Sequence, residues 1–198
     1  MVDNFGKRYE AETKVTDNPS RYFFYKAAVQ FDISTLSYPR TPSWMIFDEK
    51  LRASKPLVGL GISVVGYGMV DWDKDNLKAI ESGLILKADT IEELCRQVKL
   101  PVEKVVKTIK EYNEAVKSGK LGEMNPPCTY KKPHEVAKAP FYAVPFQGGM
   151  TATFGGPLIN VKAEIQNLDG TSIPGLYAVG NSAGGIFFHN YAGGAQLG

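Results

Sequence analysis

Residues 173–185 read Ile173-Pro174-Gly175-Leu176-Tyr177-Ala178-Val179-Gly180-Asn181-Ser182-Ala183-Gly184-Gly185, followed by Ile186-Phe187-Phe188-His189-Asn190-Tyr191-Ala192-Gly193-Gly194. The run describes one structural event. A Pro-Gly turn feeds a short apolar strand, Leu176 to Val179, which ends in Gly-Asn. A glycine-rich loop with a compact His-Asn-Tyr cluster follows. Glycine lets a backbone pass close to a ligand, and strand ends opening into such loops are where α/β folds place cofactors. Ten of the twenty glycines fall in the last quarter of the chain, which is where close backbone approach is concentrated.

Upstream of this run the chain alternates strand and helix signals. The aromatic-rich stretch 21–47 is broken by Pro39 and Pro42 and reads as strands and loops. Ala28-Val29-Gln30-Phe31-Asp32-Ile33 is its best strand. Asp48 can cap a short helix through Ala53. Residues 57–70 mix Val and Ile with four glycines, a loop or irregular strand. Asp75 starts another short helix that Gly83 ends, and Leu84-Ile85-Leu86-Lys87 is a strand. Thr90 and Glu93 form a capping box. Pro101 opens a helix whose apolar positions, Val102, Val105, Val106, Ile109, Tyr112 and Val116, recur three and four apart, and Gly119 stops it. Pro126-Pro127 and Pro133 mark a linker, and the domain boundary falls near 135. Strands Phe141–Phe146 and Leu158–Lys162 follow, with loop Gly148-Gly149 between them. Asp169-Gly170 is a hairpin turn joining Ala163-Glu164-Ile165 to Leu176–Val179.

Composition narrows the class. A chain of 198 residues can bury a sizeable core. The net charge of +2 is spread without a basic stripe, which argues against nucleic acid. The apolar runs are too short for a membrane span, and the opening residues carry no signal-peptide pattern. Cys95 and Cys128 lie far apart, and the two histidines with scattered carboxylates form no metal-ligand cluster. A cytoplasmic, bacterial-type protein is expected, possible peripheral attachment to a membrane coming only through an electron acceptor.

Thr153-Phe154-Gly155-Gly156, Gly175 to Gly180 and Gly184 to Gly194 resemble the C-terminal FAD-contacting segment of the fumarate reductase/succinate dehydrogenase flavoprotein superfamily, and within it the tricarballylate dehydrogenase group. Milder similarity covers most of the chain. Phe5-Gly6-Lys7-Arg8-Tyr9, Thr90 to Leu94, Glu111-Tyr112-Asn113 and Ala139 to Ala143 resemble the substrate-cap domain and its return to the FAD domain. The resemblance implies an α+β chain: a partial substrate-cap domain over 1–135, then the C-terminal strands of a Rossmann-like FAD domain over 136–198. The Gly-x-Gly-x-x-Gly element that holds the pyrophosphate in such enzymes does not occur in the sequence. The chain therefore reads as part of a larger flavoenzyme, expected to be inactive alone.

The implied activity is FAD-dependent oxidation, or the reverse reduction, of a C–C bond beside a carboxylate or carbonyl of a small molecule, with an unidentified electron acceptor. Tricarballylate dehydrogenation is the specific expectation. A 3-ketosteroid dehydrogenase or fumarate reductase is the alternative within the class, and a non-catalytic binding or scaffold domain is the alternative outside it. The expected cofactor contacts are Gly155, Gly156, Gly180, Asn181, Ser182, Gly193 and Gly194. Thr153, His189, Asn190 and Tyr191 are the expected substrate contacts. Tyr191 could polarise a carbonyl and His189 could bind a carboxylate. Fumarate reductases place a substrate histidine and an arginine where this chain has Ala152 and Tyr191, and no arginine occurs after Arg96. A dicarboxylate needs cationic clamps, so Arg40, framed by Pro39 and Pro42, is the expected catalytic cation, with Arg21 and Arg52 as other carboxylate partners.

Overall fold

The computed structural model describes residues 1–10, 27–57, 73–128, 133–147 and 155–185. They form a mixture of helix and strand in two compact units, residues 1–148 and 149–198.

The first unit is organised by a three-stranded antiparallel sheet. Strand β1 is Ser43–Asp48, β2 is Leu86–Ala88 and β3 is Phe141–Phe146, in the order β1-β3-β2. β3 is the central strand: Asp48 lies opposite Phe141, Ser43 opposite Phe146, and Leu86 opposite Ala143. Its near-continuous apolar sequence fits a strand covered on both faces. Side chains alternate along it as the pleat requires. Ala143 faces one core with Val2, Ile91, Leu94, Cys95 and Val105. Tyr142 and Val144 face a second core with Phe47, Ala79 and Ile85. Pro145 is tolerated because β2 pairs with β3 only as far as Ala143, so no ladder donor is needed there on that side.

Four helices flank the sheet among the described residues. Asp48 caps α1 (Glu49–Ser54) by accepting from the Leu51 N–H at 3.1 Å. α2 (Leu77–Glu81) is entered from Asn76, one residue later than the expected Asp75 start. Thr90 caps α3 (Ile91–Gln97), its hydroxyl accepting from the Glu93 N–H. α4 (Val102–Ser118) starts after Pro101 and ends at Gly119, whose φ of 71° is the left-handed geometry expected of a C-terminal glycine. Val105 is its fully buried residue, and Val102, Val106 and Ile109 complete the packed stripe.

One sequence expectation needs correction here. Ala28–Ile33 is not a strand: Ala27 and Ala28 are helical, and Asp32 and Ser37 bridge across a tight turn. The Asp32 carboxylate accepts from the Ser34 N–H at 2.8 Å and its hydroxyl at 2.6 Å, and this local capping outcompetes a ladder. The neighbouring strand is instead Ser43–Asp48. Segment 136–138, just past the expected boundary at 135, is tied into the first unit. Asn113 exchanges two hydrogen bonds with the Val136 backbone, and the buried Asp48 accepts from Ala137 and Lys138. The compact units themselves divide at 148/149. The stretch 58–72 and the loop Gly148-Gly149 lie outside the described residues, as does Arg21.

The second unit is built on a hairpin of β4 (Glu164–Gln166) and β5 (Ser172–Tyr177). Asp169 closes its turn, accepting from the Thr171 N–H at 2.9 Å and hydroxyl at 2.7 Å. Pro174-Gly175 is not a turn ahead of the strand but lies inside β5, opposite a register irregularity between Glu164 and Gln166. The expected strand Leu158–Lys162 is reduced to single bridges at Leu158 and Ile159. Asn160 ends it, its side-chain oxygen accepting from the Lys162 and Glu164 N–H groups.

Candidate active site

The second unit brings two of the glycine motifs together. The chain leaves Gly155-Gly156, bridges Leu158 in parallel to Gly184, runs through the hairpin and returns to a 3-10 turn at Gly180–Ser182. Gly184 donates to the Pro157 carbonyl at 2.9 Å. Gly156 and Gly184 meet backbone to backbone. A Cβ on Gly156 would lie 2.7 Å from the Ser182 carbonyl oxygen, and one on Gly184 would lie 2.1 Å from the Gly156 oxygen. Neither position admits a side chain without moving the chain. A Cβ on Gly155, by contrast, would meet nothing within 4 Å. The two adjacent glycines differ: Gly156 is spent on joining the loops, and Gly155 faces open space.

Gly155, Asn181 and Ser182 are exposed, whereas Ala183 and Gly184 beneath them are buried. The turn is held by two backbone bonds, Ser182 N–H to Val179 and Ala183 N–H to Gly180, both 3.2 Å. The hairpin below is braced by Asn160, whose amide donates to the Glu164 carboxylate at 2.7 Å and the Ser172 hydroxyl at 3.1 Å. Sequence reasoning passed over Asn160, since an asparagine between apolar residues carries no signal of the network it closes. It also left Gly184 out of the named contacts, although the Gly184-Gly185 doublet was the available sign. An exposed glycine, an exposed amide and an exposed hydroxyl on two joined loops suit a flavin's polar chain, so the residues present fit FAD. Thr153, His189, Asn190, Tyr191, Gly193 and Gly194 lie outside the described residues.

Arg40 belongs to the first unit. Its Nη1 donates to the Ala27 carbonyl at 2.8 Å and to Gln30 Oε1 at 3.1 Å, and its Cζ lies 4.7 Å from the Tyr9 ring centroid. Among the described residues its buried Nε has no hydrogen-bond partner. Arg52 is committed elsewhere. It grips the Glu49 carboxylate with Nε at 2.7 Å and Nη2 at 2.5 Å, while Tyr142 donates to the same carboxylate at 2.6 Å. The Arg52 guanidinium holds the Glu49 carboxyl down at about 2, and burial followed by the Glu49 bond pushes the Tyr142 hydroxyl up to about 12. This cluster anchors α1 to β3 and leaves Arg52 no fork for a ligand. Among the described residues no group of three His, Cys, Asp or Glu could hold a metal, and no helix is long and apolar enough to cross a membrane.

A loop pair that fits a flavin, on a mixed helix and strand chain, defines part of a flavoprotein. The profile of the FAD binding domain family matches residues 1–197, and the chain belongs to that family; FAD is the cofactor that membership assigns. Similar proteins include the NADH:acrylate oxidoreductase of Vibrio harveyi, 34% identical over 197 residues, covering 100% of this chain and 17% of the relative. The 3-oxosteroid 1-dehydrogenase of Mycolicibacterium smegmatis is 31% identical over 165 residues, covering 77% of this chain and 27% of its own. The solved open conformation of a flavocytochrome c3 fumarate reductase superposes with a TM-score of 0.69 at 25% identity, over 99% of this chain and 29% of that one. The chain thus spans less than a third of each of these relatives.

Proposed function

We propose that this sequence forms the substrate-cap part and the C-terminal FAD-contacting part of an oxidoreductase acting on a C–C bond next to a carboxylate or carbonyl. The rest of the FAD domain would lie within the length of the relatives that the chain does not span. The observation that carries the reading is the joined loop pair, in which Gly156 and Gly184 close on each other while Gly155, Asn181 and Ser182 are exposed.

Bound flavin supplies the hydride acceptor or donor, and the protein positions it. In this reading Gly155 gives the backbone a close approach, and Asn181 and Ser182 hydrogen-bond the ribityl chain. Gly193 and Gly194 let the following loop pass along the cofactor. Tyr191 donates to the oxygen that activates the reacting carbon, where charge develops. His189, Asn190 and Thr153 hold the substrate, and Arg40 is the cation that the cap offers to a carboxylate. The substrate proposed is tricarballylate or a similar carboxylate, and the electron acceptor is a separate redox partner.

Anaerobic addition of tricarballylate to the FAD-loaded complete protein should bleach the oxidised flavin. Flavin left oxidised would reject tricarballylate, and bleaching by a 3-ketosteroid would then favour the alternative that the steroid dehydrogenase relatives raise. Replacing Tyr191→Phe should lower turnover at least tenfold with FAD content unchanged, and unchanged turnover would remove Tyr191 from the mechanism.

A further inference from the structure

The first unit carries two adjoining clefts that share Lys7 and Arg40. The smaller, about 210 Å³, is lined by Lys7, Arg8, Tyr9, Arg40, Asn125 and Pro126. Among the described residues its lining has three cations and no carboxylate, and Arg8 donates to the Pro126 carbonyl. The larger, about 360 Å³, adds an apolar wall of Phe5, Phe31, Ile33 and Pro39. Phe31 lies edge-on to Tyr38, ring centroids 5.1 Å apart. The carboxylates of the larger cleft are occupied locally. Asp3 Oδ1 accepts from the Phe5 and Lys7 N–H groups, and Asp32 Oδ1 accepts from Ser34.

Arg40 is the informative member. Its Nη1 is fixed by Ala27 and Gln30, and Tyr9 supports the plane of the guanidinium. Among the described residues its buried Nε–H has no acceptor. A buried donor without an acceptor is a standing cost that a bound acceptor removes. Nε and Nη2 together form the side-on fork that matches a carboxylate.

We infer that Arg40 and Lys7 form an anchoring site for a small carboxylate with an apolar body, the carboxylate head in the smaller cleft and the body along Phe5, Phe31 and Pro39. The proposal keeps Arg40 as the cation that the cap offers to a carboxylate, but replaces tricarballylate there with a monocarboxylate that has an apolar body. It rests on that reading for its place in turnover but not for binding, which needs no flavin. A compact dicarboxylate would leave the apolar wall uncovered and set its second charge toward Asp3 or Asp32, so a monocarboxylate fits better.

Calorimetric titration of the protein with 4-phenylbutyrate, its neutral amide and succinate tests the site. The acid should bind saturably, with the amide and succinate each at least tenfold weaker. Lys7→Gln and Arg40→Gln should each weaken the acid at least fivefold. Since Arg40→Gln also removes the bond to Ala27, the exposed Lys7 variant decides if the other does not fold. An amide as tight as the acid, or a Lys7→Gln variant that binds like wild type, overturns the site. Flavin bleaching followed on the same FAD-loaded protein separates the two claims. Bleaching retained without 4-phenylbutyrate binding overturns the cleft alone, whereas binding retained without bleaching by any substrate supports the cleft and overturns the redox reading.

Discussion

Glu49 shows how much of the first unit turns on single residues. It begins α1, yet its carboxylate is the meeting point of Arg52 and of Tyr142 on the central strand. Arg52 continues inward, donating from Nη1 to the Asp75 carbonyl, and Asn76 beside it fixes Leu57 N–H and the carbonyls of Arg52 and Lys55. The network joins α1, the start of α2 and β3 without a disulfide. Its electrostatics have a sign. The Glu49 carboxyl sits at about 2 in the folded chain against an ordinary 4.5, chiefly because of Arg52. A depressed acid favours the fold above its ordinary value, and that contribution fades as pH falls from about 4.5 through 2. Tyr142 acts oppositely: raised to about 12 from 10.0, it favours the fold below pH 10 and loses that contribution as pH climbs to 12. Urea unfolding at pH 7 and pH 3 should therefore show a larger acid loss for wild type than for Glu49→Gln, which carries no charge to protonate. Equal losses would show that Glu49 does not set the acid limb.

At the scale of elements, the joined loops of the second unit separate two glycines that the sequence presents as equivalent. Gly156→Ala places a Cβ 2.7 Å from the Ser182 carbonyl, a backbone atom that cannot swing aside. The loops must part, at about 1–3 kcal/mol by the usual cost of overpacking. Gly155→Ala meets no atom within 4 Å and should change stability by less than about 0.5 kcal/mol, as surface substitutions do. In the proposed function it nonetheless lowers FAD content, since its Cβ enters the space given to the cofactor. Thermal unfolding and flavin stoichiometry of both variants check this. If Gly155→Ala retains full FAD, the open glycine is not a cofactor contact. The same contrast shows what was legible in advance. Capped helices announced themselves, because Thr90, Pro101 and Gly119 act on their own neighbours. β3 was legible as an apolar run, but its central place was not, since partners Ser43–Asp48 and Leu86–Ala88 lie far away in sequence. Ala28–Ile33 misled because its residue types suit a strand while the Asp32 turn decides the local backbone. For the site, the glycine doublets marked close approach, but only the fold distinguishes approach to another loop from approach to a ligand.

The molecule as a whole is uneven in how it covers its apolar surface. The first unit buries both faces of its sheet. In the second, Leu176 is 46% exposed, Tyr177 60% and Val179 63%, and Val161 and Leu168 are fully exposed. A short hairpin with a register irregularity has little core of its own. The run Leu176–Val179 reads in sequence as a buried strand, and its apolar content is the kind that a neighbouring element normally covers. This agrees with a chain that spans less than a third of its relatives: the proposed remainder of the FAD domain would supply the cover. Where that cover is absent, exposed apolar surface of this kind drives association. The 198-residue chain studied alone should self-associate with rising concentration in sedimentation velocity runs, and Leu176→Lys with Tyr177→Lys should shift it toward monomer. The complete protein should not need those changes to stay dispersed. A wild-type chain that remains monomeric across about 1–100 μM, a range in which exposed apolar segments commonly aggregate, would show that this face does not seek a partner, and would remove the packing argument for a longer FAD domain seated upon it.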